Sequence, residues 1–247
     1  MSETLQPLEQ ALSAARKIAV MTGAGISAES GVPTFRGAGG LWEGHRAEEL
    51  ATPQAFERDP ILVWEFYDWR RTLLAECSPN PGHEALARLE AMTLHFTLIT
   101  QNVDGLHQSA GSLNVHELHG NIWRLRCSRD CGTPDGDDFR APLPRPLPPR
   151  CSCGAPLRPG VVWFGESLPM EPFAAADRAA REAEIFLVIG TSGLVEPAAS
   201  LARIASAAGA RVVEINPEET PLSSIADDIF RESAAKLLPR LCGPSTS

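Results

Sequence analysis

Two close pairs of cysteines, Cys127 with Cys131 and Cys151 with Cys153, hold four of the six thiols of this 247-residue sequence. Four thiolates grouped in this way suit a tetrahedral zinc ion. With every position taken by sulfur no water could bind the metal, so such a zinc would be structural and not a Lewis acid. The gaps of three residues and one depart from the commoner two, and reduced thiols or a disulfide are the alternative. Cys77 and Cys242 are left over and are expected to be buried or inert. A second candidate follows the apolar run Lys17–Met21: the turn Gly23-Ala24-Gly25-Ile26-Ser27 ends a buried strand where backbone amides can approach a pyrophosphate. That places a dinucleotide. A hydride-carrying pattern would put an acidic residue at the end of a second strand about 20 residues on. Here that distance falls in the glycine-rich, loop-like Leu41–Arg46, so the dinucleotide is expected to serve some other chemistry.

The candidate bases are His107, His116 and His119, the last in Glu117-Leu118-His119-Gly120-Asn121. An imidazole of unperturbed pKa about 6.5 can take up a proton near neutrality. A lone histidine after a strand is otherwise a packed core or surface residue. In Trp64-Glu65-Phe66-Tyr67-Asp68-Trp69-Arg70-Arg71, a helix puts Tyr67 and Arg70 on one face, three residues apart. A guanidinium and a phenol converging there could hold a carboxylate. The bland alternative is an amphipathic helix with a packed aromatic and a solvated arginine.

Apolar runs bounded by turn residues, each short enough for a buried strand, occur at Lys17–Met21, His95–Thr100, Asn114–Leu118, Ile185–Ile189 and Arg211–Ile215. Helical patterns alternate with them at Leu5–Ala15, His83–Met92, Met170–Glu182, Pro197–Ala208 and Ala234–Leu241. This alternation predicts an α/β fold with a Rossmann-like, doubly wound parallel sheet, its ligands outside the carboxyl ends of the strands. Residues 36–80 suggest loop and helices without a strand. Residues 127–157 carry the cysteines and the proline run Ala141–Pro149, which cannot be helix or central strand. The expected organisation is a larger unit of residues 1–35, 81–122 and 162–247, with a small helical and zinc-binding domain formed by two insertions, 36–80 and 123–161.

A hydrophobic content of 43% can bury one large core and a satellite. The start Met1–Pro7 has no basic leader and nowhere do about 20 apolar residues run together, so the expectation is a cytoplasmic protein without a membrane span. A formal charge of −9 disfavours direct nucleic-acid binding and mildly favours basic, lysine-bearing segments as partners.

Seven blocks, in order along the chain, resemble the sirtuins, the NAD-dependent protein-lysine deacylases. They are Gly23–Ser27, Ser30–Gly37 (with Pro33-Thr34-Phe35-Arg36), Thr100–His107, Glu117–Asn121, Pro159–Glu166, Gly190–Ser192 and Ile215–Pro217. The resemblance implies NAD as co-substrate, one structural zinc and His119 as the base that helps deprotonate the ribose. It implies cofactor contacts at Gly23, Ala24, Gly25, Ser27, Thr34, Phe35 and Arg36, with Phe35 and Arg36 on a loop covering the nicotinamide ribose. Gln101 and Asn102 would serve the ribose or a water, and Asp104 the nicotinamide carboxamide. Gly190, Thr191, Ser192, Asn216, Pro217 and Glu218 would lie on the phosphate and adenosine side, with Ala234 added by its spacing before Pro239. Val161, Val162, Trp163, Phe164 and Glu166 would form the substrate channel and a strand-pairing edge for a peptide.

Within the family, Tyr67 and Arg70 resemble the bacterial and mitochondrial class III branch that removes acidic acyl groups. The expectation is thus removal of succinyl, malonyl and acetyl groups from acylated lysine side chains of proteins, giving nicotinamide and O-acyl-ADP-ribose. A mono-ADP-ribosyltransferase on the same fold, or a non-catalytic zinc-containing NAD-sensing module, are the alternatives. Oligomeric state is not legible.

Overall fold

A computed structural model describes residues 5–33 and 41–243. Helix α1 (Gln6–Ala14) leads into β1 (Lys17–Thr22) and a 3₁₀ turn, Ala24–Ser30. A short hairpin, β2 (Leu41–Trp42) with β3 (His45–Arg46), precedes α2 (Ala47–Leu50), α3 (Pro53–Arg58) and α4 (Pro60–Ala75). This hairpin corrects the expectation of no strand in 36–80; strands of two residues are too short to leave a periodic signal. Next come α5 (Pro81–Met92), β4 (His95–Thr100), α6 (Leu106–Ser109), β5 (Val115–Glu117), β6 (Gly120–Cys127), β7 (Gly136–Asp137) and β8 (Leu157–Val161). The chain ends α7 (Met170–Glu182), β9 (Ile185–Ile189), α8 (Ser200–Ala207), β10 (Arg211–Ile215), a 3₁₀ turn at Pro221–Ile225, β11 (Asp228–Phe230) and α9 (Ala234–Leu241). None of the described helices is long and apolar enough to cross a membrane.

The main sheet is parallel throughout, in the order β11-β10-β9-β1-β4-β5. Successive side chains of a strand face opposite ways. Ile18 and Val20 therefore join Leu98, Leu187 and Val213 under α1, α5 and α9, while Ala19 and Met21 join Ile99, Phe186 and Val188 under α7 and α8. Burial on both faces is why these strands are continuous apolar runs. Starting from β1, the chain adds β4 and β5 on one side and β9, β10 and β11 on the other. The order reverses between β1 and β9, which is where such sheets take their ligands.

A third cluster lies apart from both faces. Trp64, Phe66 and Tyr67 of α4 pack with Trp42, Leu50 and Phe56, with Ile122, Leu125 and Val161 of the antiparallel sheet β7-β6-β8, and with Trp163 just beyond β8. Asp59 accepts from Leu62 N at 3.0 Å and Pro60 takes the first turn, so α4 has a defined start. The β6–β8 register shifts between Gly120 and Leu125.

Arg71 holds α4 to this sheet. Its side chain is fully buried, donates to Ile122 O at 2.8 Å, Arg140 O at 3.0 Å and Asp138 O, and lies 5.0 Å from the Trp123 ring. Removing it leaves several carbonyls without a donor in a dry place. Arg71→Met is expected to cost about 3 kcal/mol, whereas Arg145→Met, at an exposed guanidinium 3.3 Å from the buried Asp68, should cost less, because Leu143 N still bonds that carboxylate. Urea unfolding of both variants checks this ordering.

Candidate functional site

At the switch point the exits of β1 and β9 merge. Gly23 N donates to Ile189 O at 3.0 Å and Gly25 N to Gly190 O at 2.8 Å. A Cβ on Gly25 would lie 2.7 Å from Gly190 Cα, and one on Gly190, at φ +57, would lie 2.5 Å from Ile26 N. The amides of Gly23 and Gly25 are thus spent inside the protein. These glycines contribute the missing Cβ, which lets the 3₁₀ turn containing Ala24 and Ser27 sit against Gly190 and Thr191. The strand exits so joined flank the switch-point crevice, where a doubly wound sheet takes a dinucleotide. Asn216 borders it, donating to Thr191 O at 2.8 Å, while Ser192 is half-buried and Pro217 and Glu218 are exposed. Ala234 is buried at the start of α9, in the core with Leu237 and Leu238. Thr34, Phe35 and Arg36 lie outside the described residues.

The β4 exit supplies the other wall. Gln101 Nε2 donates to Thr191 Oγ1 at 2.9 Å, tying the two exits together. Asn102 Nδ2 donates to Ser27 Oγ at 3.1 Å, and Ser27 donates to Asp104 Oδ2 at 2.8 Å. Asp104 also accepts from Leu106 N at 3.0 Å. Burial raises its pKa, opposed by these hydrogen bonds and by the charge of Arg70. Two histidines back this network. His83 accepts from Asn80 N on Nδ1, so its Nε2–H faces Ser27 Oγ at 3.3 Å; burial pushes its pKa down to about 4. His107 is buried against Thr22 Oγ1 at 2.9 Å, edge-on to His83, and is pushed down to about 3 by burial. That placement takes His107 out of the contest for the base. Neither histidine's supporting place was legible, since a buried neutral histidine has no sequence signal of its own.

His119 follows β5 and is half-buried. Its Nδ1 lies 2.9 Å from Gln101 O. A carbonyl can only accept, so Nδ1 carries the hydrogen and neutral Nε2 keeps its lone pair. Burial lowers the pKa, partly offset by the Gln101 hydrogen bond. Its backbone oxygen accepts from Val162 N at 2.8 Å. The chain therefore holds a neutral, oriented imidazole at the strand ends. His116 stays half-buried on β5, its pKa lowered by burial and by Arg178. It lines a cleft of about 420 Å³ together with Gly120, Val161, Val162, Arg124 and Glu166.

Tyr67 and Arg70 lie on one buried face of α4, each 5% exposed, and the arginine is not the solvated residue of the bland alternative. Burial lowers the Arg70 pKa, opposed by Tyr67 and Asp104. Arg70 lines a narrow crevice with Pro33, Trp69, Leu73 and Leu74. Trp163 is buried and donates to Tyr67 OH at 3.0 Å, Phe164 is exposed with its amide on Ala51 O, and Glu166 pairs with Arg158.

The four cysteine sulfurs all lie within 4.8 Å of one another, with Cys127–Cys153 and Cys131–Cys151 both at 3.6 Å. Zinc–sulfur bonds of about 2.3 Å in a tetrahedron set the sulfurs about 3.8 Å apart. The donor set fits one structural zinc, held by all four cysteines. Thr133 Oγ1 adds contacts to Cys131 at 3.1 Å and Cys151 at 3.5 Å. Cys242 is buried and pushed up to about 11 by burial.

Comparison with known proteins places this arrangement. Residues 23–197 match the model of the Sir2 family. An NAD-dependent protein deacylase of Aquifex aeolicus is 56% identical over 225 residues, spanning 91% of this chain and 93% of the relative. NAD-dependent protein deacylase 2 of Pyrobaculum aerophilum is 56% identical over 231 residues, 93% of this chain and 91% of the relative. Among solved structures, a Sir2 homolog–NAD complex is similar with a TM-score of 0.90 and 46% identity, over 96% of this chain and 92% of that one. A Sir2 variant with a deacetylated p53 peptide and 3′-O-acetyl-ADP-ribose has a TM-score of 0.86 at 32% identity, over 96% of each chain.

Metal-binding energy at a site closed by protein ligands is also folding energy. A strong chelator, or Cys151→Ala, is expected to release about one zinc per chain and to lower the melting temperature. Metal analysis of freshly purified protein that finds no zinc would reject the site.

Proposed function

Because this chain belongs to the Sir2 family and is an NAD-dependent protein deacylase, we propose that it removes succinyl, malonyl and acetyl groups from protein lysines, releasing nicotinamide and O-acyl-ADP-ribose. The observation that carries the acidic-acyl part is the pairing of Tyr67 and Arg70 on a buried face of α4. A guanidinium this deep favours an anionic ligand, which it can grip through two parallel hydrogen bonds while a phenol adds a third. A neutral acetyl group gives it no such partner.

NAD, when bound, supplies an electrophilic ribose carbon with nicotinamide as its leaving group. The crevice walls Gly23–Ser27 and Gly190–Ser192, with Asn216, are assigned to its phosphate and adenosine side. Gln101, Asn102 and Asp104 are assigned to the ribose and carboxamide, and Thr34, Phe35 and Arg36 to covering them. Ala24, Pro217, Glu218 and Ala234 complete the proposed set. Residues 1–35, 81–122 and 162–247 would form the NAD-binding part, and 36–80 with 123–161 the part that admits the acyl group. Val161, Val162, Trp163, Phe164 and Glu166 are assigned to the substrate, their backbone offering a peptide a strand to pair with. His119, whose Nδ1–H is held by Gln101 O, presents Nε2 to take a proton from a ribose hydroxyl.

His119→Tyr is expected to abolish turnover while NAD affinity and fold persist; substantial residual deacylation would move the base elsewhere. The base must be neutral, so activity is lost as pH falls through the His119 pKa, which burial holds below 6.5. The acid limb of kcat/KM should therefore inflect below 6.5, and pH profiles on one acyl peptide measure it. Arg70→Met is expected to lower kcat/KM for a succinyl-lysine peptide by roughly one to two decades, from a charged hydrogen bond of about 1.5–3 kcal/mol, while acetyl activity is held or rises. Equal losses on both peptides would end the acidic-acyl assignment.

A further inference from the structure

Tyr67 is the only tyrosine in the chain, and its hydroxyl is not free to turn. The indole Nε1–H of Trp163 donates to it at 3.0 Å. That indole is itself clamped. The Arg158 guanidinium lies 3.5 Å over the Trp163 ring, and Phe56 packs at 5.2 Å. Arg158 reaches both oxygens of Glu166, at 2.6 and 2.8 Å, and Val161 O at 3.0 Å. Glu166 in turn accepts from Trp163 N at 2.8 Å. Glu166, Arg158 and Trp163 thus form one rigid stack ending on the phenol.

A phenol oxygen has one hydrogen, which prefers the ring plane, and accepts at the remaining positions. A donor fixed on the acceptor side leaves the hydroxyl hydrogen to the other side. Burial keeps Tyr67 protonated at neutral pH, with a pKa pushed up to about 12. The hydrogen of the Tyr67 hydroxyl is then directed away from Trp163, toward the side on which a ligand would enter. We propose that Trp163 is a positioning residue for acyl selection: its indole N–H, held by the Arg158–Glu166 clamp, commits the Tyr67 hydroxyl to donating toward the carboxylate of an acidic acyl group. This rests on the acidic-acyl reading of Tyr67 and Arg70. It adds a residue that selects through Tyr67 without touching the carboxylate.

The test is a double-mutant cycle of Trp163→Phe and Tyr67→Phe, reading the ratio of kcat/KM for succinyl- and acetyl-lysine peptides with NAD. Both peptides use the same base and cofactor, so a general loss of activity leaves the ratio alone. Trp163→Phe is expected to lower the ratio about three- to tenfold, the scale of one oriented hydrogen bond, and to have no further effect on the ratio in Tyr67→Phe. Should Trp163→Phe fold poorly, Arg158→Lys keeps a charge for Glu166 but loses the planar stack. It should shift the ratio in the same direction by less, again only when Tyr67 is present. A lowered ratio in Tyr67→Phe with none in Trp163→Phe, or an additive drop in the double variant, would overturn the inference and leave the acidic-acyl reading standing. No change in the ratio in Tyr67→Phe would overturn both.

Discussion

The backbone contact between Gly25 and Gly190 is the constraint on which the rest depends. Two parallel strands leave the sheet side by side, and the turn after each must share a space that admits no side chain. Their 2.8 Å hydrogen bond closes the floor of the crevice and brings Thr191 within reach of Gln101. Gln101 in turn holds His119 through its carbonyl. A Cβ at either glycine would push apart the β1 and β9 exits, and the displacement would reach the imidazole through three residues.

Behind that floor the polar groups are buried and bond largely to one another. Ser27, Asn102 and Asp104 share hydrogen bonds, and the histidines under them stay neutral because burial disfavours their charged form. Asp104 and Arg70 feel each other's charge, so the side proposed for nicotinamide and the side proposed for the acyl group share one electrostatic environment. An acidic acyl group entering beside Arg70 would therefore also be felt at Asp104.

Much of this was legible before any coordinates. β1, β4, β9 and β10 are buried on both faces, and their apolar runs announce it. The glycine turn, His119 and the cysteine pairs carry chemistry in their residue types. β6 and β8 escaped because charged residues such as Arg124, Arg126 and Arg158 interrupt them, and because β6 finds its partner far along the chain. Arg71 and Arg158 look like surface residues, yet each is buried where distant carbonyls, or a carboxylate and an indole, meet it. The amides of Gly23 and Gly25 bond within the protein, and the Cβ these residues lack is what lets the strand exits meet, a role that only the hydrogen-bond partners and close contacts reveal.

β6 begins one residue after His119 and ends on the zinc ligand Cys127. Along a strand, a slip of one residue turns every side chain to the opposite face. The segment 128–156 that follows carries the other three cysteines, β7 and the carbonyls that Arg71 holds, so it is tied to the same sheet at several points. A single residue gained or lost between His119 and Cys127 would throw either the imidazole or the thiolate out of register, so this short stretch should evolve by substitution and not by change of length.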